Sequence, residues 1–173
     1  MAFSLYAATV PSYLQTLGAV SGLIDKAETF CSAKGLAACE LMQARLAEDM
    51  LPLAFQLKST AVHSLGAIEG LRRGVFHPDM TPPPQEFATL KARIATAIQA
   101  LEGVDSAEVE GFVGRDMRFA LGERHFDFTG ENFLLSFSLP NFYFHASTAY
   151  DILRWKGVAL GKRDFMGQLR LKK

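Results

Sequence analysis

Cysteine is scarce in this 173-residue chain: Cys31 and Cys39 are the two thiols, with no CxxC pair between them. A disulfide framework or a zinc site therefore has little support, and two idle thiols in a reducing compartment is the reading that fits. Excess charge of either sign is also missing. Eighteen basic residues face eighteen acidic ones, which leaves no electrostatic footprint for nucleic acid or an anionic membrane. Long apolar runs are absent as well. Ser, Asn, His and Asp interrupt the richest stretch, Leu134 to Trp155, so nothing approaches the ~20 apolar residues of a membrane span. The opening MAFSLYAATVPSYL has no basic leader and no small-residue cleavage site after an apolar core, so no signal peptide is expected. No GxSxG, P-loop or dinucleotide fingerprint occurs, and no Ser-His-Asp or Cys-His set is readable. The commonest enzyme classes are thereby removed, and a cytoplasmic protein is expected, with neither nucleic acid nor membrane as partner.

What remains is an ordinary globular composition, 49% apolar and 21% charged, in a chain that suits one domain spanning residues 1–173. Helical periodicity dominates. Leu14, Leu17, Val20, Leu23, Ile24, Ala27 and Phe30 form one stripe, stopped at Gly35 and expected to begin near Val10, with Pro11 in the first turn. After a connector, a second helix is expected from about Leu51 to Arg73, with Asp49 as its cap and Leu53, Leu57, Ala61, Leu65, Ile68 and Leu71 facing the core. Four prolines make VFHPDMTPPP a loop. A third helix carries Phe87, Leu90, Ile94, Ile98 and Leu101. Polar–apolar alternation from Asp116 to Leu121 and from Arg124 to Phe128, about Gly122-Glu123, predicts a β-hairpin. The last helix follows, with Thr129 as its cap, a kink near Ser136 caused by Pro140 and a stop at Gly157. The fold class expected is all-α: a four-helix bundle with a small β-hairpin inserted before the last long helix.

The last helix also carries the most informative side chains. Asn141 and His145 are four residues apart and so share a helix face. A histidine there can be a metal ligand, a general base near its ordinary pKa of ~6.5, or a buried group hydrogen-bonded to Asn141, Tyr143 or an amide of the second helix. Gln56, on an otherwise apolar face of the second helix, is the better polar-core candidate than Lys58, which is read as exposed. Asp49 is most simply a cap, with Arg45 one turn before it, but it can also complete a ligand set if the connector folds over the bundle mouth. His63 is placed at the bundle rim, His77 in solvent and His125 on the outer face of the hairpin. Phe133, Phe137, Phe142, Tyr143, Phe144, Tyr150 and Trp155 cannot all enter one core, so one flank of this helix is expected to line a pocket or to meet a second copy of the chain in a homodimer. In the tail, Lys162 and Arg163 are candidates for anion binding; the alternative is an ordered tail in which Asp164 pairs with an Arg and Phe165 docks on the bundle.

Three stretches, ARLAEDMLPLAFQ (Ala44 to Gln56), FTGENFLLSFSLPNFYFHASTAYDILR (Phe128 to Arg154) and GVALGKRDFMG (Gly157 to Gly167), resemble an uncharacterised bacterial domain-of-unknown-function family within the DinB/YfiT-like superfamily. The resemblance covers essentially the whole chain. It implies a DinB-like four-helix bundle, often dimeric. Many members of that superfamily hold a divalent metal on three histidines, two of them in an HxxxH pair on the last core helix, and members of known activity include transferases and isomerases that use low-molecular-weight thiols. Here the pair reads Asn141-Phe-Tyr-Phe-His145, so of those histidines His145 alone carries over as a metal position. Three functions follow as expectations. The first is a dimeric bundle with a pocket around Asn141, His145, Gln56, Asp49 and Tyr143 and a degenerate metal site, taking a small molecule with no tightly bound cofactor. The second is a transferase-like enzyme dependent on a thiol or on a divalent metal such as zinc or nickel. The third is a structural or stress-related interaction protein.

Overall fold

The structure, a computed structural model, describes residues 4–172 and is mostly helical with a small sheet. Helix α1 (Leu5–Lys34) begins five residues before the expected start. Two groups hold that extra turn. Ser4 Oγ accepts from the Ala7 N–H at 3.2 Å, and the carboxylate of Glu110, distant in sequence, accepts from the N–H groups of Leu5 and Tyr6. A negative group over free N–H donors complements the helix dipole. Pro11 therefore lies inside the helix rather than in its first turn. Gly35, at φ 64°, closes α1 in the left-handed region that glycine adopts at little steric cost.

The connector makes one short helix, α2 (Ala38–Met42). The expected second helix is two, α3 (Leu53–Val62) and α4 (Leu65–Arg73), broken at His63 and Ser64. Pro52 occupies the cap of α3, while Asp49 is exposed on the connector and does not cap it. Helix α5 (Phe87–Glu102) and the short α6 (Ser106–Glu110) follow, and Asp105 caps α6 by accepting from the Ala107 N–H. Helix α1 packs on α5, α3 packs on both α5 and α8 (Leu139–Trp155), and α1 also touches α8.

The hairpin is present as β2 (Asp116–Leu121) and β3 (Arg124–Thr129). The fold is nonetheless not purely helical, because Val75–Phe76 forms a further strand, β1, parallel to β2 with Val75 opposite Arg118. The proline-rich segment is thus a loop only after Phe76. β1 completes a three-stranded sheet against α4, and Phe76, Met117 and Phe119 turn inward. The last helix leaves β3 directly at Gly130. A Cβ there would lie 2.3 Å from the Phe112 carbonyl oxygen, so glycine is required by the close backbone crossing.

The last helix is irregular around Ser136, the expected place of the kink. A first turn, α7 (Gly130–Asn132), runs into a π-helical segment, Phe133–Ser138, before α8, and Pro140 falls in the first turn of α8, where its missing N–H is tolerated. Thr129 stands at the start of α7, but its side chain makes no capping bond. At the other end, helix α9 (Lys162–Met166) lies against α1: Asp164 accepts from the Gly161 N–H and pairs with Lys26 at 2.8 Å, and Phe165 meets Tyr150. The tail is ordered as the second alternative expected, except that Asp164 pairs with a lysine. No helix among the described residues is long and apolar enough to cross a membrane.

Lys58 is the largest departure from the expected surface. It is fully buried, because α3 is enclosed on almost every side. Its ammonium donates to four oxygens, the carbonyl and Oδ1 of Asp79 and the carbonyl and Oγ1 of Thr81, at 2.6–3.1 Å. Burial pushes the Asp79 carboxyl up, but hydrogen bonds from Thr81, Lys58 and Arg93 outweigh it and hold the group well below the usual carboxylate range. The ammonium thereby ties the proline-rich loop to the middle of the bundle. Lys58→Met, which keeps the apolar stem and removes the charge, should lower unfolding stability by about 2–3 kcal/mol in urea titrations. A loss below ~0.5 kcal/mol would show that the loop holds itself.

Candidate functional site

The break between α3 and α4 is the first element of the site. Ser64 turns its hydroxyl back to the Thr60 carbonyl at 2.7 Å, and the His63 carbonyl leaves the helical ladder. Ser138, at the end of the π-helical segment, donates to that carbonyl at 2.7 Å and accepts from the Tyr13 hydroxyl at 3.3 Å. Tyr13 and Ser138 are completely buried, and burial raises the Tyr13 phenol well above its ordinary range. This chain of hydroxyls joins α1, the break after α3 and the entry to α8. A buried carbonyl left unpaired would be costly, so Ser138 makes the break tolerable.

The break sets the His63 ring beside that of His145, with centroids 5.4 Å apart and planes 22° from parallel. His63 and His145 retain only 7% and 9% of their exposure. Phe76 and Phe137 pack on His63, and Phe55 and Phe144 pack on His145. His145 Nδ1 lies 2.7 Å from Gln56 Oε1, and Gln56 Nε2 donates to the Leu51 carbonyl at 2.8 Å. These contacts settle the proton. The Leu51 carbonyl can only accept, so the amide nitrogen of Gln56 must face it and the amide oxygen must face the histidine. Nδ1 of His145 therefore carries the hydrogen, and Nε2 presents a lone pair. Nδ1 of His63 is buried and has no hydrogen-bond partner among the described residues.

Neither ring carries charge near neutral pH. Burial pushes His63 down to about 3, with the neighbouring His145 adding to the effect, and burial takes His145 to about 4. The pair offers neutral imidazole nitrogens in an aromatic surround, suited to accepting a hydrogen bond or a proton from a ligand.

Of the residues singled out in the sequence, His145 and Gln56 are brought into contact. Asn141 lies half-buried one turn from His145, and its Nδ2 donates to the Phe137 carbonyl, leaving Oδ1 as its free acceptor. Tyr143, two positions from His145, points about 200° away around the helix. It lines a separate cavity of about 270 Å³ with Ser12, Phe165 and Arg170. Asp49 is exposed, and Arg45 reaches the Glu48 carbonyl rather than Asp49. Lys162 and Arg163 are exposed on α9, and His77 and His125 are exposed as expected. The residue missed at the rim is His63. Its signal was available, because it follows Gln56 by seven residues, two helical turns on the same face.

The chain is thus a helical protein with a small sheet, holding a buried imidazole pair between its α3–α4 break and α8. It belongs to the family described as a domain of unknown function (DUF1993), which matches residues 5–166. It is also similar to a DinB family member protein from Shewanella denitrificans, whose crystal structure it matches at 28% identity and a TM-score of 0.80, over 98% of this chain and 95% of that one. A search of curated proteins finds no match.

The imidazole pair has a consequence for stability. Both rings titrate well below the ~6.5 of an unfolded histidine, so the unfolded chain takes up protons first as pH falls. Stability should be level with respect to these groups above about pH 7. It should then fall by up to about 1.4 kcal/mol per pH unit per histidine as pH drops from 6.5 towards 4. In urea unfolding at pH 7.5, 6 and 5, His63→Leu should show a shallower loss than the parent. Equal slopes in the two proteins would contradict a buried neutral pair.

Proposed function

We propose that the chain is a small-molecule-binding protein on a DinB-like four-helix bundle formed by α1, α3–α4, α5 and α8, with no tightly held metal. The Gln56–His145 hydrogen bond carries this reading. It spends Gln56 on fixing one tautomer of His145 and leaves Nε2 as an oriented acceptor. Asn141 Oδ1 adds a second acceptor one turn away. Acceptors without a cation among them suit an uncharged ligand bearing an O–H, N–H or S–H donor, and the flanking Phe55 and Phe144 suit an apolar body.

An amide behind Nδ1 would equally orient a metal-ligating histidine, so the decision rests on the donor set. A first-row divalent ion usually asks for three nitrogen, sulfur or carboxylate ligands. Here there are two imidazoles and an amide oxygen already committed to His145, and no group of three His, Cys, Asp or Glu residues suited to a metal occurs among the described residues. The set does not fit a tightly held ion. The unpaired Nδ1 of His63 favours a second reading, a divalent-metal- or thiol-dependent transferase-like enzyme. Protein purified with neither chelator nor histidine tag should carry well under one-tenth equivalent of zinc or nickel. Stoichiometric metal that disappears in His145→Ala would establish the second reading instead.

The outer flank of α8 supports a homodimer in the same proposal. Phe144 and Trp155 keep 54% and 61% of their exposure, and Tyr143 is also exposed. Apolar surface of that kind is commonly covered by another chain. Light scattering should give twice the chain mass at micromolar concentration, and Phe144→Asp should weaken association at least tenfold. A monomer at high concentration would remove the dimer.

A further inference from the structure

A cavity of about 400 Å³ opens beside the C-terminal end of α3, between α4, α5 and the loop that follows β1. Its floor is apolar, formed by Val62, Phe76 and Ala97, and its rim carries Arg73 and Glu69 from α4 and Arg93 from α5. We infer that this groove binds a small organic anion, a planar carboxylate or a phosphate monoester carrying an apolar ring, with the acidic group on the guanidinium of Arg93.

The charges under the groove support this. Asp79 is one carboxylate serving two cations, buried Lys58 through Oδ1 and Arg93 through Oδ2 at 2.6 Å. Arg93 spends one nitrogen, Nη2, on that contact, and no other side-chain bond of Arg93 occurs among the described residues. A guanidinium has five N–H donors in a planar fork, so most of them remain for a ligand, in the geometry that suits a carboxylate or phosphate. Arg73 is only loosely paired with Glu69, at 4.0 Å. Around the apolar floor Arg73 and Arg93 thus face Glu69 and Asp79, and because buried Lys58 also draws on Asp79, that carboxylate only partly offsets Arg93. The remaining polar groups are Thr96 and His77, whose Nδ1 lies 3.2 Å from the Ala120 carbonyl and so carries the hydrogen. The floor matches the face of an aromatic ring, with Phe76 available for an edge or offset contact. Nothing here involves the imidazole of His145.

Benzoate and phenyl phosphate are suitable probes, with benzyl alcohol as the uncharged control, titrated into the full-length protein while backbone amide resonances are followed. The expected result is saturable shifts confined to Val62, Arg73, Arg93 and Ala97 for one or both anions, with benzyl alcohol binding at least tenfold more weakly. The stronger of the two anions identifies the acid class. Arg93→Gln should weaken the anions about tenfold. Thr96→Trp, which fills the exposed mouth of the groove without removing a charge, should abolish the shifts and serves where Arg93→Gln disturbs the loop. Equal binding of the alcohol and the acids would overturn the inference, as would shifts centred on Lys162 and Arg163 or no saturable shift at millimolar anion.

Discussion

The hydroxyl of Ser138, donating to the carbonyl of His63 and accepting from Tyr13, is the contact on which the rest of the site depends. It joins three elements whose backbones depart from regular geometry or carry a proline: α1 with Pro11, the interruption after α3, and the π-helical entry to α8. Without an acceptor–donor match at that point, the broken ladder at His63 would leave a polar group stranded in an apolar interior. With it, α3 can end where it does, and the His63 side chain is delivered to the face that His145 occupies. The widened turn before α8 likewise puts Pro140 in a first turn, so Asn141 and His145 follow on a regular helix.

Two buried polar groups divide the interior between them, and each is handled differently. The imidazole pair is kept neutral by burial, and an amide holds the His145 ring. Lys58, in contrast, is surrounded by four oxygens, one of them from the Asp79 carboxylate, and it fastens a loop that periodicity alone leaves loose. Lys58 sits on α3, the helix most enclosed by its neighbours, and His63 follows at the C-terminal cap of that helix, while His145 comes from α8. The end of α3 lies beside both the site and the groove, with Ala61 and Val62 lining the groove and Phe76 shared between the groove and His63.

Much of this was legible in the residues. The stripes of α1 and α5 and the hairpin about Gly122 follow from short-range spacing, whereas spacing leaves Gln56 as one of several partners open to His145. What spacing cannot show is what distant residues supply. Glu110 extends α1 past the expected start from the far end of α6, and Asp79 allows a lysine into the core from a loop. Val75–Phe76 becomes a strand only because β2 arrives beside it. His63 is the intermediate case. Its seven-residue distance from Gln56 was visible, but its burial depends on the helix break, and the break depends on Ser138.

The feature of the site most open to direct measurement is His145 as a neutral imidazole with its hydrogen on Nδ1. Two-bond proton–nitrogen correlation spectra of the uniformly labelled protein at pH 6.5 read this directly. The expected result is a neutral Nδ1–H tautomer for His145 that becomes mobile or switches when Gln56 is replaced by leucine. An imidazolium at that pH, or an Nε2–H tautomer in the parent protein, would contradict it.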